Sequence, residues 1–101
     1  MTAILVFFLA QLDQKLWFAS WQKLTTDVKT LIDNKAPINW QNEDGSTPLH
    51  GASGEGNSSI VMLLLAHKAS INIRDEKGDT PLLWAAYWGH MPIVRALIEA
   101  G

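Results

Sequence analysis

Cysteine is absent from the 101 residues of this chain. Its absence excludes disulfide bonds, thiolate nucleophiles and thiolate metal sites, and it fits a cytoplasmic protein, which we expect here. Excess charge is lacking too, because 8 lysines and arginines stand against 10 aspartates and glutamates, a net charge of −2 at pH 7. No basic run exceeds two residues. This charge pattern predicts no nucleic-acid binding.

Long hydrophobic runs are also missing. The apolar stretch at residues 2–10 (TAILVFFLA) ends at polar residues, far short of the roughly 20 apolar residues that a bilayer-spanning helix needs. A secretory signal would begin with basic residues, and none precedes this stretch. A membrane protein is therefore not expected from these residues.

What the chain does contain is a repeat of 33 residues. Residues 45–52 (GSTPLHGA) return as residues 78–85 (GDTPLLWA), and the same register extends backwards into a weaker copy. A period of this length that opens with T-P-L-H-x-A resembles ankyrin repeats. Thr47 to Ala52 match that motif in full, and Thr80 to Ala85 match it except at Leu83.

The resemblance implies an all-α solenoid in which each repeat is a helix pair followed by an extended loop. We expect three repeats at about residues 12–44, 45–77 and 78–101. Threonines at N-cap positions, each followed by proline at the first helical position, are expected to start two of the first helices. The second helices carry apolar stripes at helical spacing that predict the core. These stripes are Val28, Leu31, Ile32; Ile60, Val61, Leu64, Leu65; and Ile93, Val94, Leu97, Ile98.

Departures from the family pattern lie at the ends and in the middle. We expect residues 1–11 to cap the exposed end of the stack; targeting or membrane contact and disorder are the alternatives. Lys23 replaces a turn glycine of the other repeats, and no polar helix follows the last pair, which favours a fragment of a longer array. Gly51 and Gly54 predict a soft second repeat, and we expect Gly54 to tolerate alanine.

No catalytic, metal-binding or cofactor-binding constellation is present. His50 and His90 stand at scaffold positions of the family pattern, and His67 ends a second helix. The serines have no histidine in matching register, and residues 75–79 lack the glutamate that closes a calcium loop. We therefore expect a protein that is not an enzyme and carries no cofactor or metal.

A partner-binding surface is implied by the resemblance, on the loop tips and the outward side of the first helices. The residues expected there are Tyr87, Trp88, Trp21, Gly54, Glu55, Glu43, Asp44, Ser46, Arg74, Glu76, Lys77 and Asp79. Because Trp21, Gly54 and Tyr87 are equivalent positions, we expect a notch with aromatic walls and a bare backbone floor. A mainly acidic surround that favours a basic partner segment is expected from Glu43, Asp44, Glu55, Asp75, Glu76 and Asp79. Alternatively, these rings shield the second repeat or pack on residues 1–11. Trp17 and Trp84 are expected to pack within the fold.

Together these features predict a scaffold or adaptor that binds another protein through its concave face, with a basic or an apolar helical segment as the partner. The alternative is a regulatory or targeting region of a larger enzyme (a kinase, ubiquitin ligase or acyltransferase) or of a membrane protein. The partner itself is encoded in few positions, because the scaffold serves unrelated functions.

Overall fold

A computed structural model describes residues 14–22 and 24–101 of the chain. Six helices and no strands occur in this part. They are α1 (residues 14–21), α2 (Thr25–Asp33), α3 (Pro48–Gly54), α4 (Ser58–Ala66), α5 (Pro81–Tyr87) and α6 (Met91–Ala100). Helix α3 packs on α5, and α4 packs on both α2 and α6. First helices thus stack on first helices and second on second, which confirms the all-α solenoid.

The starts of α3 and α5 follow from the Thr-Pro pairs. The hydroxyl of Thr47 accepts a hydrogen bond from the backbone N–H of His50, and that of Thr80 accepts one from Leu83. Each proline stands in the first turn, where its missing N–H costs no helical hydrogen bond. The predicted caps are confirmed, and they fix where each first helix begins.

Two lysines end the second helices in the left-handed region. Lys35 has a φ of 68° and Lys68 a φ of 64°. This conformation places the β-carbon against the following carbonyl, at a cost of about 1–2 kcal/mol per residue. The repeat geometry therefore tolerates a side chain at positive φ when nothing else crowds it.

The core is formed by the apolar stripes of the second helices together with small and branched residues of the first. Val28, Ile60, Leu64 and Ile93 are fully or almost fully buried. One prediction was wrong: Ile98 is 61% exposed. Its equivalent Leu65 is half-buried because α6 packs on α4, whereas no described helix follows α6.

Several predictions concern residues outside the described part. Residues 1–11, with their expected capping role, and Lys23, at the expected turn position, lie there. The repeat boundaries also stay predictions. Within residues 14–22 and 24–101, none of the helices has the length and apolar character needed to cross a bilayer.

Two serines in the stack have buried hydroxyls without a partner. Ser20 and Ser53 stand 33 positions apart, are 0% exposed, and their Oγ atoms form no hydrogen bond. A buried polar group left unpaired costs about 1–3 kcal/mol. The third position of this column holds Ala86.

Ser53→Ala is therefore expected to raise the free energy of unfolding by about 1 kcal/mol, since it removes the unpaired hydroxyl and favours the helix. The urea midpoint measures the change. Ser59→Ala, at an exposed position in α4, is the control and should stay within about 0.5 kcal/mol of the parent. A lower midpoint for Ser53→Ala would mean that the hydroxyl has a partner in solution.

Candidate partner-binding groove

A groove of about 1040 Å³ lies between α5 and the loops that precede α3 and α5. Its loop wall is formed by Asp44, Asp75, Glu76, Lys77 and Asp79. Its helix wall is formed by Leu83, Trp84, Ala86, Tyr87 and Trp88. One wall is thus charged and the other is largely apolar.

The loop wall is held in shape by its own backbone. The Oδ1 atom of Asp75 accepts hydrogen bonds from the amides of Lys77 (3.0 Å) and Asp79 (2.8 Å). Asn42 makes the same turn one repeat earlier. The Glu76 amide donates to the Asp44 carbonyl at 2.9 Å and so joins the two loops. A partner would therefore meet a loop wall that is already ordered.

Asp75 also connects the loop wall to the helix wall. Its Oδ2 atom accepts a hydrogen bond from the Trp84 indole N–H at 2.9 Å. Burial opposes ionisation of this carboxyl, but the hydrogen bonds from the Asp79 amide, the Trp84 indole and the Lys77 amide outweigh burial and lower its pKa. Asp75 is consequently ionised at neutral pH and fixes the orientation of the Trp84 ring.

His50 supports the same loop from the neighbouring repeat. Its Nδ1 atom accepts from the Thr47 amide (3.0 Å), so Nε2 carries the proton and donates to the Asp79 carbonyl at 2.9 Å. The ring is fully buried, and Trp84 packs on it with ring centroids 5.4 Å apart. Burial lowers the pKa of His50, which favours this neutral, doubly bonded form. The expected structural role of His50 is confirmed.

His90 serves the scaffold in a comparable way. Its Nε2 atom lies 3.0 Å from the Gly54 carbonyl oxygen, at the end of α3 in the preceding repeat. Both histidines of the family motif thus connect adjacent repeats. Among the described residues, no three histidine or acidic side chains come together in a way that could hold a metal ion.

Two aromatic side chains of the helix wall are presented to solvent. Tyr87 is 81% exposed and Trp88 is 63% exposed. Their ring centroids lie 5.0 Å apart with an interplanar angle of 83°, so the two rings form a right-angled corner. Exposed aromatic rings that are fixed against each other offer contact area at low entropic cost.

Trp17 and Trp84 pack as predicted, half-buried and with hydrogen-bonded indoles. The Trp17 N–H donates to the Ser46 hydroxyl at 3.1 Å. Trp21 is 39% exposed and stacks on Trp17, with ring centroids 6.1 Å apart. Trp21 therefore belongs to an aromatic cluster on α1 and does not line the groove.

The groove contains six of the twelve predicted contact residues. These are Asp44, Glu76, Lys77, Asp79, Tyr87 and Trp88. The six that do not line it are Trp21, Gly54, Glu55, Glu43, Ser46 and Arg74. Ser46 cannot serve as a partner contact in this state, because it is 1% exposed beneath the Trp17 indole.

Sequence reasoning missed Leu83, Trp84 and Ala86 as groove residues. A signal existed for Leu83, which stands four residues before Tyr87 and thus on the same helical face. Asp75 belongs to the acidic surround that the sequence predicts, but the sequence does not predict its hydrogen bond from the Trp84 indole. Trp84 was assigned to packing, and it does pack, but one side of its ring also lines the groove.

Gly54 is not the bare floor of a notch. A β-carbon on Gly54 would lie 2.8 Å from Cε3 of Trp84 and 3.7 Å from Cδ1 of Trp88. The space expected to be open is therefore filled by the indoles of the next repeat. The prediction that Gly54 needs no close approach was wrong.

Gly54→Ala is now expected to lower the free energy of unfolding by about 1 kcal/mol, because overpacking outweighs the gain in helix propensity. The urea midpoint again measures the effect. Gly51→Ala is the matched control in the same helix, since its β-carbon would meet Trp21 Cβ at 3.4 Å, an ordinary contact. A higher midpoint for Gly54→Ala would show that the Trp84 ring moves aside freely.

The fold agrees with the comparison to known families. The family model for ankyrin repeats (three copies) matches residues 16–101. The chain belongs to the ankyrin repeat family. Ankyrin repeats generally mediate protein–protein interaction, and domains of this kind are typically binding modules without catalysis. A search of curated proteins found no match to the chain.

Proposed function

We propose that this chain binds a partner protein through the groove between the loop wall and the helix wall, as a scaffold or adaptor. The observation that carries the proposal is the corner formed by Tyr87 and Trp88. Both rings are mostly exposed, fixed edge-to-face, and placed beside an ordered charged loop. Tyrosine and tryptophan are enriched among the residues that dominate binding energy in interfaces.

Order in the free groove supports the proposal. The hydrogen bonds that the Asp75 and Asn42 side chains accept, and the one that the Glu76 amide donates, hold the loop wall. The hydrogen bond from the Trp84 indole to Asp75 holds the helix wall against it. Association costs free energy whenever side chains or loops must be ordered, and preorganisation reduces that cost. The free groove is therefore already ordered, as expected of a binding surface.

A display library of helical peptides, selected against the intact chain, tests the proposal without assuming a partner. Tyr87→Ala and Trp88→Ala should each weaken the selected binders by about 2 kcal/mol, or roughly 30-fold in Kd. The melting temperature should change little, because both rings are mostly exposed. Isothermal titration calorimetry gives the Kd and thermal unfolding gives the stability.

Phe18→Ala provides the matched control, since Phe18 is an aromatic residue on α1 that is 52% exposed and lies outside the groove. Its loss should leave the Kd unchanged. Binders whose affinity is unaffected by both Tyr87→Ala and Trp88→Ala would place the interface elsewhere. A regulatory region of a larger enzyme or membrane protein would use the same groove and stays the alternative; the cytoplasmic location also stays a prediction.

A further inference from the structure

We propose that the occupant of the groove is a basic amphipathic helix of the partner protein, with a guanidinium or ammonium group seated at the Tyr87–Trp88 corner. This inference rests on the proposed function and specifies the chemistry of the partner. Three features of the groove lead to it: the charge of the loop wall, the apolar surface of the helix wall, and the geometry of the corner.

The loop wall is strongly acidic. It carries the carboxylates of Asp44, Asp75, Glu76 and Asp79 and the single ammonium of Lys77, which gives a net charge of −3. The whole chain has a net charge of only −2, so negative charge is concentrated at this wall. Although burial opposes ionisation, hydrogen bonds from the Asp79 amide, the Trp84 indole and the Lys77 amide lower the pKa of Asp75, so this carboxylate is ionised in the free groove. Charge complementarity therefore favours a cationic occupant and disfavours an acidic one.

The helix wall offers an apolar surface on which the apolar side of a partner segment can pack. Leu83, Ala86 and Tyr87 are three and four residues apart on α5, so they share one face of the helix. All three are exposed. A segment that contacts both walls needs apolar residues toward α5 and basic residues toward the loops, which is the pattern of a basic amphipathic helix.

The size of the groove suits a short helical segment. A helix about 11 Å in diameter occupies roughly 500 Å³ per 5.4 Å turn. A groove of about 1040 Å³ that is open to solvent therefore has room for one side of a helix of at least two turns. An extended peptide would direct only every second side chain onto α5, whereas a helix presents residues three and four apart together on one side.

The corner formed by the Tyr87 and Trp88 rings is the proposed binding position of the partner's cationic group. A cation is attracted to an aromatic face within about 6 Å of the ring centroid, most strongly to tryptophan. Because the Tyr87 and Trp88 rings stand at 83° with centroids 5.0 Å apart, one ring presents its face beside the edge of the other. A guanidinium stacked on the tryptophan face can also approach the acidic loop, since arginine combines stacking with bidentate hydrogen bonds.

The test uses synthetic helical peptides of about 18 residues with one leucine stripe and one flanking stripe of arginine, glutamate or glutamine. The arginine peptide should bind at least tenfold more tightly than the glutamine peptide, and the glutamate peptide should bind least. Raising the salt from about 50 mM to about 300 mM should weaken the arginine peptide and leave the glutamine peptide nearly unaffected. Trp88→Leu should remove most of the arginine preference while retaining apolar contact.

Charge reversal of the groove supplies the matched variant. Asp44→Lys with Glu76→Lys changes two exposed side chains and should reverse the preference, so that the glutamate peptide binds more tightly than the arginine peptide. Glu43→Lys, at an exposed position beside Asp44 but outside the groove, should keep the original order. Equal binding of all three peptides, lost on Tyr87→Ala, would overturn the cationic assignment and leave the proposed function intact. Failure of the arginine peptide to bind, while library binders still depend on Tyr87 and Trp88, would overturn it as well.

Discussion

His50→Ala is expected to lower the free energy of unfolding by about 3 kcal/mol or more, the largest loss among the single changes considered. The substitution removes a fully buried ring and leaves two backbone groups, the Thr47 N–H and the Asp79 carbonyl, without their partner. Each buried group left unpaired costs about 1–3 kcal/mol, and the cavity adds to that. Small domains have only about 5–15 kcal/mol in total, so partial unfolding at 37 °C is expected.

Urea unfolding followed by circular dichroism measures this loss. Leu83→Ala is the matched control, because Leu83 takes the place of His50 in the third repeat and is 49% exposed. Its truncation should cost no more than about 1 kcal/mol. Similar midpoint shifts for the two variants would contradict the role of His50 as the link from Thr47 to the loop wall. Loss of His50 should also loosen residues 75–79 in hydrogen exchange before the helices open.

Gly56→Ala is expected to lower the free energy of unfolding by about 3 kcal/mol, for two separate reasons. Gly56 has a φ of +76°, where an alanine costs about 1–2 kcal/mol. A β-carbon would also lie 2.5 Å from Cε1 of His90, so the ring would have to leave its contact with the Gly54 carbonyl. Overpacking of this kind adds about 1–3 kcal/mol.

Gly89→Ala separates the two sources of cost. Gly89 stands at the equivalent position with the same φ of +76°, but nothing lies within 4 Å of a β-carbon there. Gly89→Ala should therefore lower the free energy of unfolding only by the cost of placing a side chain at positive φ. Lys35 and Lys68 already adopt this conformation. The difference between the two midpoints therefore measures the His90 contact between repeats. Equal losses would show that His90 moves aside without cost.

The repeat register predicted those features that depend on position along the chain. It located the capping threonines and the structural histidines. These succeed because equivalent positions in stacked repeats have equivalent backbones. The fold class follows from the same regularity.

The register failed where a large side chain crosses from one repeat to another. Trp84 covers Gly54, and Trp17 covers Ser46. The equivalent pairs, Gly51 with Trp21 and His50 with Asp79, also lie together, so the register identifies the neighbouring positions but not which side chain fills the space between them. The prediction that Ile98 is buried was wrong for a related reason, since the burial of a stripe residue depends on the repeat that packs on it. Contacts between unlike residues of neighbouring repeats need the three-dimensional structure.

The most direct test of the proposed groove is a nitrogen-15 chemical-shift titration of the intact chain with the tightest helical binder from the display selection. The account predicts that the largest changes fall on the amides of residues 75–79 and 83–88 and on the indole N–H of Trp84, which bonds to Asp75 in the free chain. Little change is expected in α4 and α6. Changes concentrated in α4 and α6, with the loop wall and the Trp84 indole unmoved, would contradict the assignment of the groove as the binding site.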